Sequence, residues 1–248
     1  DTDDVVVTVV SVPNAGTLSG TTSINPSSVV TISSSGDAGG TWSSSNDSYA
    51  TVNSSTGAVT GVASGSAVIT YTKSASPCSD ATSTITVTVS NTYATSGTNS
   101  NWSNTACWGG GIIPPSSGDV VISHDITVNS STNTLGNLTV DASKTLTIAT
   151  GQTITVSGAS DMNGTLTIEG TGIFDANGAY DATGGSTTFT DAGTLKLGGT
   201  VTSLGTFSKA TNCTVEYDGA NQTVDQLSGS PASNSYYNLT INGSGTKT

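Results

Sequence analysis

Short runs in which Val, Ile or Leu alternates with Thr recur along this chain and limit what it can fold into. Residues 145–148 and 165–168 both read Thr-Leu-Thr-Ile, and clusters of Gly, Asn, Asp and Ser separate such runs. Because successive side chains of a strand point to opposite faces, a period of two predicts strands with one apolar and one polar face. No helix signal lies between the runs, so the sequence predicts an all-β protein.

A phrase of eleven residues at positions 137–147 returns at positions 238–248, with six of the eleven residues identical. A fixed period is typical of repeat arrays, in which each unit buries its apolar face against its neighbours. The second copy runs to the last residue of the sequence. We therefore expect a window cut from a longer repeat protein, truncated at its C-terminal end.

The composition excludes several classes of partner. Ser and Thr make up about a third of the chain, charged residues only 9%, Arg is absent, and the net charge is −12. Such a surface lacks the cationic footprint that nucleic acid or anionic lipid requires. So polar a composition is also typical of disordered chains. The apolar residues, however, recur with a period of two, which indicates that the chain folds into strands. No apolar run of about 18 residues exists, so no membrane insertion is expected in this segment.

Residues 1–90 are predicted to form an antiparallel sandwich of short strands, because turn clusters separate alternating runs at the spacing of such folds. Along the last run, Ile85, Val87 and Val89 share one face and the intervening Thr residues share the other. The predicted strands are residues 5–10, 28–33, 40–44, 49–53, 58–62, 65–71 and 82–89.

Within this half, residues 41–71 contain Trp42 in a Ser-rich strand and glycines at regular intervals after it. The pattern resembles a bacterial Ig-like domain of the group-2 type over most of residues 14–90. The resemblance implies a sandwich with Trp42 in its core. Gly57, Gly61 and Gly65 are expected in turns that need a positive φ.

The sequence therefore predicts three parts of the chain. Residues 1–90 are the Ig-like domain, and residues 1–12 are either its first strand or the tail of a preceding copy. Residues 91–118 are predicted to be a polar linker and a cap, because two Trp, a glycine turn and a double proline precede the first regular strand. A solenoid needs an atypical end to cover its first coil.

Residues 119–248 are predicted to form a right-handed parallel β-helix of five or six coils. Very short strands with Gly, Asn or Asp breaks and no intervening helices are typical of such solenoids, whose coils take roughly 20 residues. The predicted strands are residues 120–123, 126–129, 138–140, 145–148, 153–156, 165–168, 172–174, 187–189, 194–197, 214–217 and 239–241.

The opening of this segment, from Trp102 through Trp108 to Gly118 and Asp119, resembles β-helical segments of large exported proteins of the Bacteroidetes. Combined with the Ig-like unit, it resembles a fragment of a giant cell-surface adhesin of the type IX-secreted, SprB-like gliding kind. That resemblance implies a non-catalytic adhesive segment of an extracellular filament attached to the outer membrane. The implied partners are further repeats of the same chain, an extracellular surface or glycan, and the secretion or gliding machinery.

Two sets of residues are candidates for catalysis. The only histidine, His124, stands beside Asp125, but no Gly-x-Ser-x-Gly elbow accompanies it, so a surface imidazole is expected. Paired carboxylates would serve a polysaccharide-acting β-helix enzyme with an Ig accessory module, which is the first alternative function. Acids in Gly- and Asn-rich turns usually set turn geometry, so we expect no enzyme. The candidate pairs are Asp175 with Asp181 and Glu216 with Asp218.

The sequence contains no complete set of ligands for a metal ion, and no cofactor is expected. Asp175, Asn177 and Asp181 offer hard oxygen ligands for a structural calcium ion, but no EF-hand loop is complete. Asp1, Asp3 and Asp4 offer a second acidic cluster. The cysteines are widely spaced, so no zinc site is expected, and free thiols are favoured over a Cys107–Cys213 bridge.

A glycan- or ice-binding module is the second alternative function. Thr rows could stack across coils, but Thr is also a strong strand former on a solvated face. An ice-binding array would need an unbroken register, and the Thr spacing in the sequence is uneven. The tyrosines that could stack on sugars are scattered, so core roles are expected for most. The row considered is Thr145, Thr147, Thr153, Thr155, Thr165 and Thr167.

Overall fold

The computed structural model describes residues 11–96, 100–109, 111–132, 134–225, 227 and 235–248. The chain divides into two compact units, Asp1–Asn91 and Thr92–Thr248. Nearly all regular structure in the described residues is strand, and the single helical turn is a 3-10 turn at Thr105–Cys107. The all-β prediction is confirmed, with an Ig-like unit followed by a parallel solenoid.

Nine short strands lie in the described residues of the first unit. They are β1 Leu18–Ser19, β2 Ser23–Ile24, β3 Val29–Thr31, β4 Ser33–Ser34, β5 Thr41–Ser44, β6 Ala50–Val52, β7 Ala58–Gly61, β8 Gly65–Lys73 and β9 Ala81–Val89. One sheet has the order β2-β9-β8-β5, a second has the order β3-β7-β6, and β1 pairs with β4. All pairs are antiparallel except β2 with β9. The strand predicted at residues 5–10 lies outside the described residues.

The core of this unit follows the predicted alternation. Val87 and Val89 are buried on the inner face of β9, whereas Thr86 is exposed on the other face. Trp42 packs against Tyr71, with ring centroids 4.7 Å apart and an interplanar angle of 47°. Both rings are buried, so the expected core position of Trp42 is confirmed.

Two of the three glycines predicted in turns have the expected backbone. Gly57 has a φ of 72° and Gly65 a φ of 151°. Gly61 is different, because it ends β7 and is not among the residues with a positive φ. A Cβ there would lie 2.5 Å from the backbone oxygen of Asn25. The turn expected at Gly61 is therefore wrong, and close approach of two backbones explains the glycine instead.

In the described part of the solenoid there are sixteen strands, and they form three parallel sheets. The first sheet contains β10 Thr92–Ala94, β11 Asp119–Ile122, β13 Leu138–Val140, β16 Ser160–Met162, β19 Tyr180–Asp181 and β22 Val201–Ser203. The second contains β12 Ile126–Val128, β14 Thr145–Ile148, β17 Thr165–Ile168, β20 Ser186–Phe189 and β23 Thr206–Ser208. The third contains β15 Thr153–Val156, β18 Ile173–Ala176, β21 Thr194–Leu197, β24 Thr214–Tyr217 and β25 Asn238–Ile241.

The chain visits the three sheets in turn, and each turn adds one strand to each sheet. In the second sheet Thr127 pairs with Thr147, Thr147 with Thr167, and Thr167 with Thr188, so one coil takes 20 or 21 residues. The first sheet has six strands, which corresponds to about six turns. The predicted parallel solenoid is confirmed, while its right-handed sense stays a prediction.

Stacked apolar side chains fill the solenoid interior. Ile126, Leu146 and Leu166 form one inward column of the second sheet, and all three are almost completely buried. Burial of each such side chain contributes about 1.5–3 kcal/mol. Because successive coils contribute side chains to such columns, one continuous core extends through the stacked coils from Tyr93 to Tyr217.

Glycines let the coils stack closely at the corner between the third and first sheets. A Cβ on Gly178 would lie 2.0 Å from the backbone oxygen of Gly158, and one on Gly199 would lie 2.2 Å from the oxygen of Gly178. The amide of Gly158 donates to the oxygen of Gly136 at 2.9 Å in the same stack. Only glycine fits where one backbone lies directly on another.

The first coil begins earlier than expected. β10 starts at Thr92 and pairs with β11, and Trp102 donates its amide to the oxygen of Thr127 at 2.9 Å. Trp102 and Trp108 are buried in an edge-to-face pair with centroids 4.7 Å apart. Part of the segment predicted as linker and cap at residues 91–118 therefore belongs to the solenoid, and the Trp pair joins the core of its first coil.

The two copies of the eleven-residue phrase do not take equivalent places. The first copy contributes β13 to the first sheet, whereas the second copy contributes β25 to the third sheet. The structural repeat is thus one coil of about 20 residues and not a unit of 101. A strand followed by a polar turn fits any sheet of the solenoid, so similar sequences occur at different positions.

Candidate functional site

The three outer faces of the solenoid carry different side chains, and they are the surfaces on which a partner could act. Along each strand, alternate residues point outward and remain at least partly exposed. The pairing register then stacks equivalent outward residues from coil to coil. Each face is therefore a set of columns running along the solenoid axis.

The second sheet presents two columns made only of Thr and Ser. In the first column Thr127, Thr147, Thr167, Thr188 and Ser208 pair in succession. In the second column Thr145, Thr165, Ser186 and Thr206 do the same. We refer to these nine residues as the hydroxyl array. The Oγ of Ser186 donates to the Oγ1 of Thr165 at 3.0 Å within it.

The pairing register of the hydroxyl array is unbroken across five strands. The expectation that uneven Thr spacing would break the array is therefore wrong for this face. The six Thr residues proposed as a row from the sequence belong to two different sheets. Thr153 and Thr155 belong to the third sheet, where Ile173 and Asp175 follow them in the next coil. Once those two residues are removed, the remaining Thr residues continue regularly through Ser186 and Thr188.

The third sheet carries a column of charges. Asp175 pairs with Lys196, and Lys196 pairs with Glu216. The Nζ of Lys196 lies 3.5 Å from a carboxylate oxygen of Glu216, and the Oγ1 of Thr155 donates to Asp175 at 3.3 Å. These contacts link the coil of Thr155 to that of Asp175, and the coil of Lys196 to that of Glu216, through outward side chains.

Burial raises the pKa of the Asp175 carboxyl above its ordinary value. The negative charge of Asp218 raises it further, and Lys196 and the hydrogen bond from Thr155 act in the opposite direction. The ionised form of Asp175 is therefore less stable in this column than in water. The charge of Asp175 therefore opposes folding, even though its hydrogen bond with Thr155 links two coils.

The carboxylates considered for calcium or catalysis are held on different sheets. Asp175 points outward from the third sheet, and Asp181 lies on the first sheet, where it pairs in register with Asp161. Asn177 follows β18 and donates its amide to the oxygen of Val156. Within the described ranges, no three His, Cys, Asp or Glu side chains come together in a group that could hold a metal ion. Asp1, Asp3 and Asp4 lie outside those ranges.

Glu216 and Asp218 share the outward face of one strand end. Glu216 is engaged by Lys196 and also accepts a hydrogen bond from Asn242 of the next coil. These contacts link neighbouring coils, as do those of Asp175. Glu216 therefore serves the stacking of coils in this structure.

His124 and Asp125 each hydrogen-bond to a neighbouring coil. The backbone amide of His124 donates to the Oγ1 of Thr95 at 3.2 Å, and a carboxylate oxygen of Asp125 accepts the amide of Thr145 at 2.8 Å. Asp125 thereby caps the start of β14 in the next coil. Both residues connect neighbouring coils.

All three cysteines are free thiols, as favoured from their spacing. Cys107 and Cys213 are buried in the solenoid, and Cys78 is half-buried in the first unit. Burial raises the pKa of the Cys107 thiol, although its hydrogen bond to the oxygen of Asn101 lowers it. A buried thiol with a raised pKa is a poor nucleophile.

Most of the tyrosines are core residues. Tyr71, Tyr93, Tyr180 and Tyr217 are buried, whereas Tyr237 is 49% exposed. Tyr236 is partly buried, and its hydroxyl lies 3.1 Å from that of Tyr217. The side chains that could stack on a sugar are therefore not gathered on one face.

Comparison with known proteins identifies the first unit. Residues 4–83 match the model of the bacterial Ig-like domain (group 2) family. The first unit is a group-2 bacterial Ig-like domain. The match begins at residue 4, so it includes most of the segment for which two interpretations were open. Searches of curated proteins and of solved structures gave no match.

Group-2 Ig-like domains are typical of extracellular and surface proteins. A solenoid after such a domain suits a structural or surface-associated protein. Among the described residues, no helix has the length and apolarity needed to cross a membrane.

Sequence reasoning missed the column formed by Asp175, Lys196 and Glu216. A signal for it exists, because these residues are 21 and 20 positions apart, which is the length of one coil. Aligning the chain on that period before judging single residues would have paired Lys196 with its acids. The same alignment would have separated Thr155 from the hydroxyl array.

Proposed function

We propose that this chain is a non-catalytic structural and adhesive segment of a long extracellular surface protein. In this proposal the Ig-like domain acts as a spacer, and the solenoid acts as a stiff module that presents flat outer faces. The segment needs no cofactor. Its partners are further repeats of the same chain and an extracellular surface or glycan.

The observation that carries the proposal is the continuous pairing of coils in all three sheets. Each strand hydrogen-bonds to its counterpart in the next coil, so a pull along the axis is resisted by several ladders at once. Columns such as Thr155, Asp175, Lys196 and Glu216 add side-chain links between the same coils. These features suit a load-bearing element of a surface filament.

The distribution of carboxylates supports the non-catalytic part of the proposal. A glycosidase needs two carboxyl groups on either side of one bond, within about 10 Å of each other. Asp175 and Asp181 emerge from different sheets, and Glu216 is held by Lys196.

The finer part of the proposal rests on sequence resemblance. The opening of the solenoid and its combination with an Ig-like domain resemble gliding adhesins of the Bacteroidetes that leave the cell by the type IX pathway. We therefore place this chain at the outer surface of such a bacterium, attached to the outer membrane, with a role in attachment and gliding motility.

An in-frame deletion of the codons for residues 1–248 in the source bacterium tests this proposal. We expect the deletion strain to grow normally but to detach from glass under shear flow, and to glide more slowly in single-cell tracking. A matched strain with His124→Ala should attach like wild type. Unchanged attachment in the deletion strain would contradict the adhesive role, and release of reducing sugar from polysaccharides by the purified protein would contradict the non-catalytic one.

A further inference from the structure

The hydroxyl array is the most regular surface of the molecule, and the proposed surface role leaves it unexplained. Its nine residues lie on five strands of one parallel sheet, and pairing is in register at each step. The positions between them point inward and are apolar in four of the five strands, with Thr187 as the exception on β20. The array is thus a two-column lattice on a continuous support.

The dimensions of this lattice follow from strand geometry. Neighbouring strands of a sheet lie about 4.8 Å apart, and alternate residues along a strand lie about 6.6 Å apart. Hydroxyl and methyl groups therefore repeat at these two distances in perpendicular directions. Oxygen atoms on the basal and prism planes of hexagonal ice repeat at distances close to both.

The side chains of the array are also held in place. A β-branched residue such as Thr has few allowed χ1 rotamers in a strand, so its hydroxyl and methyl positions are largely fixed. Thr147 and Thr167 are flanked on both sides by paired strands, which fixes their backbone as well. A surface that is ordered before binding loses little entropy when it binds an ordered lattice.

Charge separates this face from the other two. The chain has a net charge of −12, yet the array contains no ionisable side chain. The first sheet presents Asp161 and Asp181, and the third presents Asp175, Lys196 and Glu216. A neutral face is complementary to a neutral lattice and not to a charged partner.

Aromatic side chains are absent from the outward positions of the array. Phe189 and Phe207 of the same sheet pack against each other, with centroids 5.7 Å apart. Flat sugar surfaces are usually bound by exposed aromatic rings. The face therefore lacks the groups that would favour a crystalline polysaccharide over crystalline water.

We propose that the hydroxyl array is an ice-binding face. The Thr methyl groups and hydroxyls hold a layer of water whose spacing matches the ice lattice, and this layer joins the growing crystal. The proposal is independent of the filament role, since it rests on the register of one sheet and not on the length of the parent protein.

Inhibition of ice recrystallisation by the purified 248-residue protein tests this inference. Thr167→Lys places a long, charged side chain at the centre of the array, between Thr147 and Thr188. We expect it to raise the protein concentration needed for inhibition by about tenfold or more, as changes at the centre of a binding face commonly do. Thr139→Lys makes the same change on the outward face of the first sheet and should inhibit like wild type.

Near-UV circular dichroism checks that both variants are folded. Thr147→Lys tests the same face on a different strand if Thr167→Lys fails to fold. Absence of inhibition by the wild-type protein overturns the inference, and so does equal activity of the Thr139→Lys variant and the folded array variant. Array-dependent binding to insoluble chitin or cellulose without any effect on ice would overturn it in favour of a polysaccharide.

Discussion

At the scale of single residues, stability in the solenoid depends on how buried polar groups are paired. Tyr180 and Thr187 are both fully buried, and their hydroxyl oxygens lie 2.8 Å apart. Desolvation raises the pKa of Tyr180 above its ordinary value, so the ring stays a neutral hydrogen-bonding group. Neither hydroxyl has access to water, and each therefore depends on the other.

Removing either hydroxyl of this pair should lower the free energy of unfolding. Tyr180→Phe leaves the Thr187 hydroxyl without its partner, and Thr187→Val does the same to Tyr180, at about 1–3 kcal/mol each. The double variant removes both polar groups, so we expect it to be more stable than the sum of the single changes predicts. Urea unfolding of the four proteins measures the coupling, and strictly additive effects would contradict the pairing.

A second residue-scale prediction concerns pH. The pKa of Asp175 is raised above 3.8 in the folded protein, first by burial and then by Asp218. Its folded state therefore binds a proton more tightly than the unfolded state does, so the ionised carboxylate weakens the fold at neutral pH. This penalty is lost as the pH falls from the raised pKa toward 3.8.

Asp175→Asn removes that charge at every pH. We expect the variant to melt at a higher temperature than wild type at pH 7, with the difference shrinking as the pH falls toward 3.8. Lys196, Glu216, Asp218 and Thr155 face the same carboxyl and are left intact. Asp191→Asn removes an equal charge from an exposed turn and serves as the control. A destabilised Asp175→Asn at pH 7 would show that attraction to Lys196 outweighs burial.

At the scale of elements, the corners of the coil set how closely strands can stack. Gly178 lies between Gly158 and Gly199 in a column of touching backbones. Gly178→Ala would place its Cβ 2.0 Å from the oxygen of Gly158, so the coils must separate locally. Overpacking of this kind costs about 1–3 kcal/mol.

Gly109→Ala is a matched control for that corner. Its Cβ would lie 3.4 Å from its nearest neighbour, the oxygen of Ala94, and Gly109 is not among the residues with a positive φ. We expect this change to alter stability by no more than about 0.5 kcal/mol. Equal melting temperatures for the two variants would mean that the corner yields without cost.

The elements that the sequence predicted are those with a strong apolar alternation. Strands such as β14, β15 and β17 have the predicted bounds because Leu or Ile stands at every second position. The strands β1, β2, β10, β16, β19, β22 and β23 were missed, and four of these lie in the first sheet of the solenoid. β16 and β19 are two or three residues long and contain Asp, so only pairing with neighbouring coils defines them as strands.

The same reason limits prediction of the candidate site. The sequence predicts that Thr residues form strands, but it does not indicate which Thr residues share a face of the solenoid. Which residues share a face depends on the corners, because the step between paired residues of the first sheet is 18, 22 and 20 residues in successive coils, from Val120 to Leu138, Ser160 and Tyr180. Register across coils is a long-range property, and no local window contains it.

At the scale of the whole molecule, the two units have separate cores, so they should unfold as separate transitions. The buried residues of the first unit form one cluster and those of the solenoid form another. Val87 belongs to the first cluster, and its side chain is fully buried. Val87→Asp puts a carboxylate where it has no partner, at a cost of several kcal/mol, which exceeds what a small domain can lose.

Scanning calorimetry of Val87→Asp and wild type tests this independence. We expect two transitions in the wild-type protein and only that of the solenoid in the variant, because no side chain of the second cluster is altered. Thr86→Asp adds the same charge one residue away on the exposed face of β9 and should keep both transitions. Limited proteolysis of Val87→Asp should then leave a resistant fragment that begins near Thr92, where the first coil starts. Loss of both transitions would mean that the solenoid cannot fold without the Ig-like domain.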